Sequence, residues 1–150
     1  RNWDEFAEMI GAQSAPHRIE QGVMKIYDPA SPIMKPFGGK DLPFREEYYR
    51  FEHEGRGRLR WDSVRVLLTV TLHDPVIEPR PWNGYKRPDN IYPVAWIRAY
   101  GKGRVFYNSL GHMPETFMTP EIVDHFLAGI QFLLGDLEAD ATPNPVGRTY

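Results

Sequence analysis

The residues best suited to chemistry in this chain are its histidines and one pair of adjacent glutamates. His112 ends the passage Ser109-Leu110-Gly111-His112, just past a β-branched and aromatic run. A side chain at the end of a predicted strand sits where α/β folds place reactive groups. Neutral imidazole there serves as a base or a metal ligand near pH 7. Gly111 lets other groups approach the backbone. The plainer alternative is a histidine that caps a loop. Glu46 and Glu47 fall in a predicted extended segment, where neighbours point to opposite faces. At most one of them faces a given pocket, so the two alone do not make a paired-carboxylate site. One could orient a histidine or hold a polar ligand; the alternative is a solvated charge beside Arg45 and Arg50. His17 and His73 lie in or beside predicted loops. With His112 and Glu47 they would form a metal site only if the fold assembled it, because no two show a spacing such as His-x-His. No metal and no cofactor are assigned. His53 and His125 read as surface residues, His125 beside Asp124 on a helix. Arg104 suits either an anionic or hydroxyl-rich ligand or a structural ion pair. Gly101-Lys102-Gly103 is too short for a phosphate loop and lacks its Gly-Lys-Ser/Thr ending.

These side chains need elements to carry them. The organising stretch is Pro93 to His112, read as two strands joined by a tight turn. Val94, Trp96 and Ile97 lead into it, Gly101 and Gly103 supply the backbone freedom of the turn, and Val105-Phe106-Tyr107 leads out. Ser63 to Leu72, SVRVLLTVTL, is the clearest strand, apolar as a strand buried on both faces would be. Gly22 to Tyr27 and Pro43 to Phe51 read as further strands, with Ala15-Pro16-His17 in a loop and Ser31 to Gly39 in turns. Asn2 is the expected N-cap of a first helix with Glu5 completing a capping-box pattern, Trp3, Phe6, Ala7 and Ile10 on one face, and Gly11 as the stop. Thr119, Pro120 and Glu121 start a second helix. Ile122, Val123, Phe126, Leu127, Ile130, Leu133 and Leu134 form its wide apolar face, and Gly135 ends it. Glu52 to Arg60 reads as a charged loop. Pro75 to Tyr92 reads as a long loop bearing Trp82 and Tyr85, of a length that is usually functional. The polar tail, 136–150, is expected to wrap the surface or stay disordered.

The 150 residues are the size of one domain and enough to bury a core. Hydrophobic residues at 41% and charged ones at 25% are those of a soluble globular chain. A net charge of −2 gives no electrostatic footprint for nucleic acid or an anionic membrane. No apolar run approaches the ~20 residues of a membrane span. Without cysteine there is no disulfide, thiolate metal site or cysteine nucleophile. A soluble chain, with the cytoplasm as the favoured compartment, is the expectation, and a homo-oligomer is admissible.

Pro93-Val94-Ala95-Trp96, Gly101-Lys102-Gly103-Arg104-Val105-Phe106-Tyr107 and Leu110-Gly111-His112 together resemble the signature of the ThuA-like (trehalose utilisation) family. The similarity extends to Ile10-Gly11 and His17, to Pro32-Ile33 where members carry His-Pro-Ile, and to Glu46-Glu47-Tyr48 as the Asp-Glu-aromatic motif. It covers about residues 3 to 135. Ser31 stands in place of that histidine, and Glu46 where members often have Asp, which shifts its reach by a single methylene. The resemblance implies an α/β fold: a flavodoxin-like, class I glutamine amidotransferase-like sheet flanked by helices. In that fold other strands precede the first helix, so residues 1–135 are expected to be the C-terminal portion of the domain. Late strands alone would leave a sheet edge and one helix face uncovered.

What the resemblance implies about function is carbohydrate metabolism, acting on a disaccharide or an oxidised, keto-sugar derivative of one. The expected catalytic residues are His112, Glu47 and His17, working by general acid/base chemistry. Glu46, Tyr48, Trp82 and Arg104 are the expected substrate-binding residues, with Trp82 and Tyr85 suited to stacking on sugar faces. The implied partner is a small-molecule carbohydrate. Two alternatives remain: a non-catalytic sugar-binding or interaction module, and an amidotransferase-like enzyme whose nucleophile lies upstream of Arg1.

Overall fold

The computed structural model describes residues 3–51, 59, 61–72 and 90–144. His53, His73, Trp82, Tyr85 and Asn2 lie outside the described residues. The element order is α1 (Asp4–Ile10), β1 (Ser14–Ile26), a 3₁₀ turn (Pro32–Phe37), β2 (Leu42–Phe51), a second 3₁₀ turn (Trp61–Ser63), β3 (Arg65–Leu72), β4 (Ile91–Tyr100), β5 (Gly103–Asn108), a third 3₁₀ turn (Pro114–Met118) and α2 (Pro120–Leu134). The strands form one five-stranded sheet in the order β2-β1-β3-β4-β5.

All four pairings are antiparallel. The flavodoxin-like arrangement expected from the resemblance has a parallel sheet, and these strands do not make one. The local reason is visible at β4 and β5. Tyr100 pairs with Gly103 across a two-residue turn, and a connection that short joins only antiparallel strands. Gly101 takes φ +58°, the positive value that the first residue of such a turn requires. β3 finds its two neighbours, β1 and β4, within the chain.

Among the described residues two clusters make up the core. On one face of the sheet α2 and the first 3₁₀ turn pack Ile33, Met34, Phe37, Ile122, Ala128 and Phe132 against the strands. The other cluster gathers Ala12, Phe51, Val64, Val66 and Trp96, with Tyr49 and Tyr107 at its edge. Trp96 is buried, its indole N–H donating to Ile10 O at 2.7 Å and its ring stacked on Tyr107 at 4.0 Å. The sheet curls so that its outer strands approach one another. Phe51 of β2 lies 6.0 Å from Tyr107 of β5, ring to ring.

Several local expectations change. The first helix begins at Asp4 with Trp3 as its N-cap and no side-chain cap. Its stop at Gly11, in the left-handed region at φ +85°, is as expected. β1 starts at Ser14, so Pro16 and His17 belong to a strand and not to a loop. β4 begins at Ile91, two residues inside the expected loop. Thr119 caps α2 by position only, its hydroxyl donating to Glu115 O at 2.8 Å. His125, read as a surface residue, is 0% exposed. Gly129, one turn on, faces Phe106 so closely that a Cβ would overlap the ring. α2 therefore buries Ile122, His125, Ala128, Gly129 and Phe132, while Val123, Leu127, Ile130, Leu133 and Leu134 of the expected apolar face are exposed. Residues 140–144 of the tail lie against the sheet. The Asn144 side chain accepts from Val66 N at 2.9 Å and donates to Val66 O at 2.8 Å, standing in for a neighbouring strand. Asp140 pairs with Arg65 at 2.7 Å. Among the described residues no helix is long and apolar enough to cross a membrane.

Candidate functional site

The pleat of β2 decides which acid does what. Glu47 and Tyr49 point to the α1 side of the sheet and line a cavity of about 920 Å³. Glu46 points the other way and is 0% exposed. His17 reaches Glu47 because β1 is irregular there. Ala15 pairs with Arg50 and Arg18 with Tyr48, so Pro16 and His17 together oppose Tyr49 alone. Proline has no N–H to give the ladder, which favours a bulge at this point. A bulge re-aims the side chain beside it. The His17 ring lies 3.9 Å from the Tyr49 ring, and its Nε2 lies 3.8 Å from Glu47 Oε2.

His112 arrives at the same oxygen from the far edge of the sheet. The curl brings the segment after β5 over β2, with Gly111 at φ +130° turning the backbone into the cavity. His112 Nδ1 stands 3.1 Å from Glu47 Oε2. Its side chain is 50% exposed, against 23% for Glu47. The two expected catalytic histidines and their carboxylate therefore meet in space. A carboxylate on Nδ1 sets the tautomer and leaves Nε2 with its lone pair as the base. An imidazole beside an orienting carboxylate is a geometry that general acid/base chemistry can use. Among the described residues no group of three or more His, Cys, Asp or Glu side chains is arranged to hold a metal ion.

Glu46, Tyr48 and Arg104 do not line this cavity. Glu46 spends both oxygens on protein donors. Its Oε1 accepts from Glu47 N at 2.8 Å and Met113 N at 3.0 Å, and its Oε2 from Gly111 N at 3.1 Å and from the Thr116 hydroxyl. That corrects its expected role as a substrate ligand. Tyr48 is corrected in the same way: it is buried, its phenol donates to Phe44 O at 3.1 Å, and burial together with Glu46 pushes its pKa up. Arg104 lies on β5 toward α2. It donates to Phe132 O at 3.0 Å and to Glu138 at 3.0 and 3.2 Å, so the ion-pair alternative describes it. Trp82 is outside the described residues.

Other groups in the cavity wall escaped the sequence reading. Trp3 and Phe6, expected on one face of α1, stack on each other at 5.4 Å and form an aromatic wall, Trp3 being 67% exposed. Tyr107 also lines the cavity, its phenol pushed up by burial and by Tyr49. Asn108 accepts from Leu110 N at 2.8 Å, which fixes its orientation. Its Nδ2 is buried in the cavity wall with no partner among the described residues. An unspent buried donor is costly unless a ligand or water takes it. The pleat alternation of β2 and β5 was the only signal in the sequence that could have found Tyr49 and Asn108.

Comparison with known proteins agrees with the sequence motifs. A family model described as ThuA, trehalose utilisation, matches residues 1–133. No curated protein matches the chain, and no solved structure does.

Proposed function

The chain belongs to the ThuA family, described as trehalose utilisation, and on that premise we infer that its cavity carries out general acid/base chemistry on a disaccharide or a keto-sugar derived from one. The observation that carries this reading is the single Glu47 oxygen shared by His112 Nδ1 at 3.1 Å and His17 Nε2 at 3.8 Å. His112 is the base, through Nε2. Glu47 holds its tautomer and stabilises the imidazolium that forms. His17 braces the far side of Glu47. Oxidation of a ring carbon to a ketone acidifies the neighbouring C–H. His112 takes that proton, the electron pair passes into the enolate, and a substituent β to the carbonyl departs with the pair and receives the proton. Asn108 Nδ2 supplies a hydrogen bond to a substrate oxygen. The relation to a flavodoxin-like, class I glutamine amidotransferase-like domain is part of this inference and rests on the family alone.

A second reading, a non-catalytic sugar-binding module, draws on the aromatic wall of Trp3 and Phe6. His112→Gln separates the two. It keeps size and some hydrogen bonding but removes the proton acceptor. The expected result is a loss of about 10²–10⁴ in turnover of an oxidised disaccharide, with stability within about 0.5 kcal/mol of the parent as for an exposed position. Unchanged turnover, or a loss of several kcal/mol in stability, makes His112 a structural cap and favours the binding module.

A further inference from the structure

Glu46 is a carboxylate in an unusual position. It is fully buried, and among the described residues it has no basic partner. Burying a charge without an opposite charge is expensive unless hydrogen bonds replace its water. Here four donors do so, and their distribution is informative. One is Glu47 N, in the same strand. The other three, Gly111 N, Met113 N and the Thr116 hydroxyl, all belong to the segment that carries His112. The backbone bonds fall on the residues immediately before and after His112. Bonds from neutral N–H groups to a carboxylate are charge-assisted and about twice as strong as neutral ones.

We propose that Glu46 is the positioning residue of the site: its buried carboxylate clamps the backbone on both sides of His112 and so holds the imidazole Nδ1–H on Glu47. Adjacent acids thus divide the work between the two sides of one strand. Glu47 meets the imidazole, and Glu46 meets the backbone that carries it. The inference rests on the acid/base reading for its importance, but the geometry it asserts can be read without any substrate.

The test is nuclear magnetic resonance on the full chain. In the parent, the Gly111 and Met113 amides are expected to exchange slowly, with roughly tenfold to hundredfold protection from a bond to a charged acceptor. The ¹⁵N shifts of His112 are expected to report the Nδ1–H tautomer. Unprotected Gly111 and Met113 amides in the parent overturn the proposal outright. Glu46→Gln removes the charge and turns one acceptor into a donor facing other donors. It is expected to abolish the protection and the Nδ1–H signature together, while the Trp96 indole proton, bonded to Ile10 O, keeps its shift. A folded Glu46→Gln with an unchanged His112 signature overturns the proposal. Should that variant not fold, Glu46→Asp decides. It keeps the charge and draws the oxygens back, and both signals are expected to weaken in step. Signals that stay unchanged, or protection lost with the tautomer intact, count against it. Because no turnover is measured, a failed clamp and a failed catalytic assignment are distinguishable: the first appears here, the second only in His112→Gln.

Discussion

Two histidines, one from each face of the sheet, stand in opposite conditions. On the α2 face His125 is fully buried, its Nδ1 3.1 Å from Ile33 O and its ring 5.4 Å from both Phe37 and Phe106. Burial lowers its pKa to about 4, outweighing the carbonyl that favours the charged form. On the α1 face His112 is half exposed and 3.1 Å from a carboxylate. The side chains are identical, yet burial holds only His125 against gaining a proton. What differs is whether the imidazolium finds a counter-charge and water. The α2 face is a packed layer that excludes both. The α1 face leaves a cavity with aromatic walls and one carboxylate at its base.

The comparison breaks most visibly in the packed layer. Phe132 is buried at the centre of the α2 contact. Phe132→Ala is expected to cost about 3–5 kcal/mol of stability, read by denaturant unfolding, while leaving the Glu47–His112 pairing intact. A cost below about 1 kcal/mol would mean that the α2 face is loosely packed and the contrast between faces is false.

A smaller effect comes from His125 through pH. Its folded pKa of about 4 lies below the unfolded value of 6.5. Between these values the unfolded chain binds more protons, so stability rises with pH across the window. Stability attributable to this group is full above about pH 6.5 and falls as pH drops toward 4, by about 3 kcal/mol in all. Unfolding measured at several pH values in the parent and in His125→Phe checks this. The variant should have a flatter slope in that window. An identical slope would show that His125 is not held neutral.

The smallest expected effect is at Arg104, which the cavity does not include. Its partner Glu138 is largely exposed. Arg104→Met should change stability by no more than about 1 kcal/mol, the range of surface ion pairs, and leave turnover unaltered. A large loss of turnover would bring Arg104 back as a ligand residue.

Much of this molecule was legible locally. Thr119, Pro120 and Gly135 marked the ends of α2, Gly101 marked the hairpin, and the apolar run through Val66 and Leu72 marked β3, because caps, turns and pleats act over a few residues. The alternation along β2 also determined that Glu46 and Glu47 could not share a pocket. Tertiary structure alone decided the rest. Whether His17 could reach Glu47 depended on a bulge that exists only once β1 has paired with β2. Whether His125 was wet or dry depended on which side of α2 met Phe37 and Phe106, and the helix carries apolar residues on more than one side. The site itself joins Glu46 and Glu47 to a segment about 65 positions further on, through a curl of the sheet that no short stretch encodes. Local chemistry sets what each segment can be. Which segments meet is decided by the collective pairing of strands and burial of their faces, and that sum is not written at any one position.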